Sequence, residues 1–277
     1  MKSEFKIVGA NNSTLGEGPI WCEEKKSLYY VDINGKKLHQ VIWESKELIT
    51  LDLPQKTGCV ALTKDGKMVY AMEDGVYDSE FVLLHKKQKI SGIRFNDGKV
   101  GPDGCFYAGT IKKDGGGKLY RLKNGALETI LDDVCISNGI DWSIDEKTMY
   151  YCDTATHKIV AFDAETLEFK RTIIEVPEVM GNPDGMCIDT DDCLWVALWG
   201  GGAVIRVSTR TGEILTKIEL PASKISCPCF VGDKLDELVV TSASVDTDLE
   251  KEPLAGCTFL LKTGTSGRKP YRFEEEI

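Results

Sequence analysis

Among the dipeptides that place an oxygen-bearing side chain directly before a glycine, four carry the argument: Glu17-Gly18, Asp97-Gly98, Asn138-Gly139 and Asp184-Gly185. Brought to one point, such carboxylates and an amide carbonyl suit a hard divalent cation: Ca²⁺, Mg²⁺ or Mn²⁺. Packed together without a cation, the same carboxylates would repel and shift their proton affinities. Asx-Gly is also a common turn pair, and Asp65-Gly66 and Asp103-Gly104 read as hairpin turns. Glu17-Gly18 does not, because Glu is not a turn residue and Pro19 follows in a segment without a hairpin signal. Arg94 and Asn96 are two residues apart and face one side of an extended segment. An Arg there can hold a carboxylate, a phosphate or sugar hydroxyls, or simply bridge to Asp97 or Glu17.

A repeat is what would bring these distant positions together. Ile136 to Asp163 reads as three short strands, rich in aromatic and β-branched residues, separated by Asp/Ser/Thr-rich turns. Near-copies begin at Glu17, near Thr57, at Asn96, at Asp184 and near Ser226. The Gly or Ser opening each copy recurs at roughly 40 to 46 residues, the period of propeller blades of about four strands. Six copies account for the 277 residues, and the expected fold is an all-β, six-bladed β-propeller forming one domain, 1–277, with a central metal site. The strand-like ends, Glu4 to Val8 and Thr258 to Lys262, are expected to share a sheet and close the ring, since an open edge is a liability. Lined up on the opening glycine, Glu17, Asp97, Asn138 and Asp184 fall together, with Thr57 and Ile225 at the remaining two places. Each begins the innermost strand of a blade, so all should converge at one mouth of the central channel.

Composition narrows the function. The net charge of −10 argues against nucleic acid or an anionic membrane as partner. There is no apolar run of membrane-spanning length, and the opening Met-Lys-Ser-Glu-Phe lacks a secretory core, so a cytoplasmic protein is expected. The 10 cysteines then read as reduced thiols, with Cys59, Cys187 and Cys227 as small packing residues on inner strands. Cys227-Pro-Cys229 lacks the second pair that a zinc site needs. His39, His85 and His157 are the only histidines, and all fall in outer-strand or turn positions. A Ser-His-Asp hydrolase is therefore poorly supported, and chemistry here must rest on a metal and a carboxylate.

Leu15-Gly16-Glu17-Gly18-Pro19, Arg94-Phe95-Asn96-Asp97-Gly98-Lys99, Ser137-Asn138-Gly139-Ile140-Asp141-Trp142-Ser143 and Pro183-Asp184-Gly185-Met186-Cys187-Ile188-Asp189, followed by Leu194 to Ala197, occur in this order. As a set they resemble the regucalcin/gluconolactonase family, which includes sugar lactonases and the luciferin-regenerating enzyme, and the resemblance covers nearly the whole chain. It implies a six-bladed propeller with one catalytic divalent cation at the channel mouth. It further implies Glu17, Asn138 and Asp184 as metal ligands, Arg94 as a substrate contact, Asn96 as a substrate contact or a further member of the metal shell, and Asp97 outside the direct ligand set. One departure stands out: the stretch Ile111 to Gly117, where regucalcin-like members carry a longer site-covering loop, is short and Gly-rich, with Asp114 its one acidic residue.

The expected activity is metal-assisted hydrolysis of a sugar lactone, gluconolactone or a similar aldonolactone, with Asp184 as candidate general base. All-oxygen ligation favours Ca²⁺, with Zn²⁺, Mn²⁺, Mg²⁺ or Fe²⁺ as alternatives. Other readings are a non-catalytic calcium-binding protein, a propeller scaffold for protein partners and a metal-dependent phosphotriesterase. The expected assembly is a monomer or weak dimer.

Overall fold

The computed structural model describes residues 4–10, 12–86, 93–112 and 114–274. Their strands form six antiparallel sheets of four strands each. The first strand of five sheets, and the corresponding strand of the sixth, are Gly16–Cys22, Thr57–Leu62, Arg94–Val100, Ser137–Trp142, Asn182–Ile188 and Ile225–Val231. Each of these packs beside the next, and the last packs beside the first, so they enclose one axis. The structure is the six-bladed propeller that the repeat implies. Phe5–Val8 pairs with Thr258–Lys262, from Phe5 opposite Leu261 to Val8 opposite Thr258, and the two ends of the ring share one sheet as expected.

Each sheet exposes two apolar faces that only its neighbours can cover, and the core accordingly runs between blades. One cluster joins Trp21, Tyr30, Trp195, Phe230 and Phe259 across three adjoining blades. Trp21 and Trp142 occupy the same repeat position near the lower end of their strands, and both are fully buried. Trp142 stacks edge-on against Tyr107 of the adjacent blade, with ring centroids 5.1 Å apart. Trp142→Ala should therefore cost about 3–5 kcal/mol of stability through the cavity left behind, read as a lower urea midpoint. A change within about 0.5 kcal/mol would contradict that packing role.

The inner strands share one irregularity. In all six, pairing with the second strand slips by one residue near the upper end, between Glu17 and Ile20, Thr57 and Cys59, Phe95 and Gly98, Ser137 and Ile140, Pro183 and Met186, and Ile225 and Pro228. A bulge of this kind leaves a residue out of the ladder and re-aims its side chain. Here it leaves Asn96, Asn138 and Asp184 outside the ladder of their blades.

The lower end of the channel is closed by the segment after the last strand. Gly267 pairs with Asp189, Arg268 reaches Asp141, Lys269 pairs with Glu23, and Tyr271 donates to Glu146 at 2.7 Å. Phe273 N donates to Leu62 O at 2.8 Å, Glu274 N to Gly104 O at 3.0 Å and Gly267 N to Leu235 O at 2.8 Å. Its contacts thus touch the lower turns or strand ends of all six blades. Between this strap and the upper ring lies a cavity of about 70 Å³, lined in part by Asp97, Lys99, Asp141, Cys187, Cys227 and Arg268.

All 10 cysteines are free thiols, and Cys59, Cys187 and Cys227 are buried on inner strands as expected. His39 lies buried in the third strand of its sheet against Tyr30, and His85 is on an outer strand. Among the described residues, no helix is long and apolar enough to cross a membrane.

Candidate active site

Strand pairing fixes which residues are equivalent around the mouth. The pairs Thr57–Met72, Phe95–Thr110, Ser137–Asp153, Pro183–Leu198 and Ile225–Ser242 stand just above the bulges; Gly16–Asp32 stands one pair higher, above Glu17–Val31, and matches Ser137–Asp153 because Asp32 and Asp153 each accept from the two backbone N–H groups that lead into their inner strands. The next residue on each inner strand is Glu17, Gly58, Asn96, Asn138, Asp184 or Ser226. Alignment on the opening glycines is thus off by one in three blades: Gly58 replaces Thr57, Asn96 replaces Asp97 and Ser226 replaces Ile225. Between the last paired residue and the glycine stand two polar residues, Asn96 and Asp97, in the Arg94–Val100 strand, but only Asn138 or Asp184 in the Ser137–Trp142 and Asn182–Ile188 strands. Asp97 sits one step lower, level with Gly139 and Gly185.

Glu17, Asn96, Asn138 and Asp184 are all buried, with Asp97 beside them. Asn96 Nδ2 donates to Asn138 Oδ1 and to Ser137 O, both at 2.8 Å. Arg94 Nη1 donates to Asn96 Oδ1 at 2.7 Å and to Phe95 O at 2.8 Å. Asn138 Nδ2 donates to Thr154 Oγ1 at 2.7 Å, and that hydroxyl donates to Pro183 O at 2.7 Å. Thr154 therefore orients the Asn138 amide with its oxygen inward. Nothing in the sequence marked Thr154, because a threonine after a strand-ending Asp is an ordinary turn residue. Ser226 turns away from the axis: its hydroxyl donates to Gly16 O at 2.6 Å. Gly58 is obligatory, since a Cβ there would come within 2.4 Å of the Phe95 carbonyl carbon. The ring is thus polar on one side, from Asn96 through Asn138 and Asp184, and on to Glu17.

The carboxylates lack counter-charge. Burial, then the nearby Asp97, pushes Glu17 up to about 8. Burial also raises Asp97. Burial followed by repulsion from Glu17 and Asp97 holds Asp184 well above the carboxylate range. Arg94 is lowered by burial, against the opposing pull of Glu17, Asp184 and Glu73. Lys99 offsets part of the rise at Asp97 but is paired with Asp141, so one guanidinium and one shared ammonium stand against the three carboxylates of the ring. Asp184 Oδ1 is buried without any hydrogen-bond partner, an orphan acceptor of the kind that costs stability unless something occupies it. Among the described residues, no group of three or more His, Cys, Asp or Glu side chains is arranged to hold a metal ion. A three-residue set here would have to include the amide oxygen of Asn138.

Residues 15–244 match the model of the SMP-30/gluconolactonase/LRE-like region. The chain belongs to this family. Over 98% of its length it is 37% identical to regucalcin of Danio rerio, of which 98% is covered. It is 34% identical over 96% of its length to a Bacillus subtilis (strain 168) protein provisionally named a sugar lactone lactonase, of which 97% is covered. The structure of a calcium-binding regucalcin from Agrobacterium tumefaciens superimposes with a TM-score of 0.92 at 27% identity, covering 99% of both chains. The ring residues Glu17, Asn96, Asn138 and Asp184 all lie within the region matched by the family model.

The short connection at the mouth is only partly described, because Lys113 lies outside the described residues. Ile111 ends one strand and Gly117 begins the next. Lys112 N donates to Cys135 O at 2.8 Å, and Asp114 is exposed. These contacts hold the connection to its own blade and give Asp114 no part in the ring.

Proposed function

We propose that the protein is a divalent-cation-dependent hydrolase of sugar lactones, with Glu17, Asn138 and Asp184 holding the cation. The observation that carries this reading is the partnerless Asp184 Oδ1 among three carboxylates raised by burial and mutual repulsion. A cation is the missing counter-charge, and carboxylate and amide oxygens suit Ca²⁺, Mg²⁺ or Mn²⁺. When bound, it supplies polarisation of the lactone carbonyl and acidity to a coordinated water.

The chain's own residues do the rest. Arg94 presents a planar fork of donors to the sugar oxygens. It also locks Asn96, whose amide is fixed at both ends by Arg94 and Asn138. Both Asn96 amide hydrogens are committed to Ser137 O and Asn138 Oδ1, so it is the remaining N–H groups of the preorganised Arg94 that can stabilise charge as it develops on the carbonyl oxygen. Asp184, or the adjacent Asp97, accepts the proton of the water that attacks the carbonyl carbon and returns it to the ring oxygen as the ring acyl C–O bond breaks. The product is the ring-opened aldonic acid, whose carboxylate is drawn off by solvent at the mouth.

A second reading is favoured by the Agrobacterium relative, which is described as a calcium-binding protein: a cation-binding protein without turnover. One assay separates the two. Protein stripped with chelator and reloaded with single cations is offered a panel of aldonolactones, and acid release is followed with a pH indicator. Hydrolysis that vanishes with chelator and returns with one cation is the expected result. Spontaneous rates throughout, on folded protein shown to hold the cation, would leave the binding reading standing.

A further inference from the structure

Adjacent inner strands belong to different sheets and share no backbone ladder. The spacing between ring residues on neighbouring blades must therefore be set by side chains. Below the ring one carboxylate does this for three blades. Asp141 lies three positions after Asn138 and is almost wholly buried. Its Oδ2 accepts from Lys99 Nζ at 2.7 Å and from Ile188 N at 3.1 Å. Its Oδ1 accepts from Trp142 N at 2.8 Å and from Arg268 Nη2. Lys99, three positions after Asn96, donates in addition to Met186 O at 2.8 Å. Met186 and Ile188 follow Asp184 by two and four positions on its strand. The strands bearing Asn96, Asn138 and Asp184 are thus tied at one point beneath the ring.

We infer that Asp141 is a positioning residue: with Lys99 it sets the separations of Asn96, Asn138 and Asp184, and the C-terminal strap holds it in place through Arg268. Burial alone would lower Lys99 and raise Asp141. Each departs the opposite way because of its partner, with Arg268 adding to the effect on Asp141, so the cluster is ionised at neutral pH. An ion pair this buried is a poor source of net stability, and fixing register is the use best attested for such pairs. Partners outside the coordinating set commonly change metal affinity by about 10–100-fold when removed.

The inference rests on the ring being the working site proposed above, so two readouts are needed. The first requires no cation: the NMR shifts and exchange rates of the Asn96 and Asn138 side-chain amides. The second is Ca²⁺ affinity by titration calorimetry. Asp141→Asn should shift and speed exchange of both amides and weaken Ca²⁺ binding about 10–100-fold, in protein still folded by circular dichroism. Arg268→Gln should move both readouts in the same direction by less. Added to Asp141→Asn it should have almost no further effect, since the two act through one contact. Arg272→Gln, which breaks the strap's pair with Glu24, is the control and should leave both readouts at wild-type values. Wild-type amides and affinity in folded Asp141→Asn would overturn the inference. Should Asp141→Asn not fold, Arg268→Gln decides, and wild-type behaviour there would remove the strap from the device. If the wild-type protein binds no Ca²⁺, the proposed function fails while the amide readout still decides the positioning role.

Discussion

Glu17→Gln and Asp184→Asn are expected to lose cation binding and turnover while making the cation-free protein harder to unfold. Both side chains are buried carboxylates that burial and like charge push toward the neutral form, Glu17 up to about 8. In the unfolded chain they ionise in the ordinary range, so at pH 7 folding must either protonate them or hold them charged without partners. An amide of the same shape removes that cost, which for Glu17 is on the order of 1–3 kcal/mol. It also removes the anionic oxygen a cation needs. Removal of a coordinating group should exceed the roughly 10²-fold upper range for outer partners. Chemical unfolding in chelator and lactone hydrolysis in Ca²⁺ would be measured on the same preparations. A variant that keeps turnover leaves the proposed ligand set. A variant that unfolds more readily than wild type in chelator shows its carboxylate to be structurally satisfied.

The second large effect is a dependence of stability on pH that a cation abolishes. A group whose pKa is raised on folding contributes stability below its unfolded value and loses it as pH rises through the folded value. For Glu17 that window runs from about 4.5 to about 8, and Asp97 and Asp184 move in the same direction. The cation-free melting temperature should therefore fall between pH 5 and pH 8, and saturating Ca²⁺ should flatten the decline. The Asp141 carboxyl is held below its usual value, so its contribution is lost only under more acid conditions. His39 is lowered by burial and contributes an opposite trend around its usual value. The difference between wild type and the Glu17→Gln, Asp184→Asn double variant cancels that term. Cation affinity should fall on acidification by about tenfold per pH unit for each proton displaced. If the two proteins show parallel melting curves across this range in chelator, the carboxylates are not strained.

The blades and three of the ring residues were legible because they repeat. Aromatic and β-branched strands between polar turns recur at nearly constant spacing, and Glu17, Asn138 and Asp184 each stand directly before the glycine that marks the bulge. The slip at Asn96 was not legible. Asn96 and Asp97 are both polar, and a bulge adds a residue without a change in pattern. Lys99 and Asp141 each look like a surface charge, and only the stacking of three blades makes them partners. The strap was silent for a different reason: its contacts go to six turns far apart in sequence, so its own residues carry no period.

The closing sheet has a consequence for how the chain reaches this state. Phe5 stands opposite Leu261 in the closing sheet, so the first strand made is among the last to find its partner. Loop-closure entropy grows slowly with length, but it must be met before the contact gives anything back. Until then the Thr258–Lys262 strand presents an open edge, and the terminal blades present apolar faces meant for each other. A nascent chain stalled before residue 258 would hold several assembled blades and still display the surface most prone to pair with another molecule. Closure of this sheet, rather than the assembly of any one blade, is the step that covers that surface.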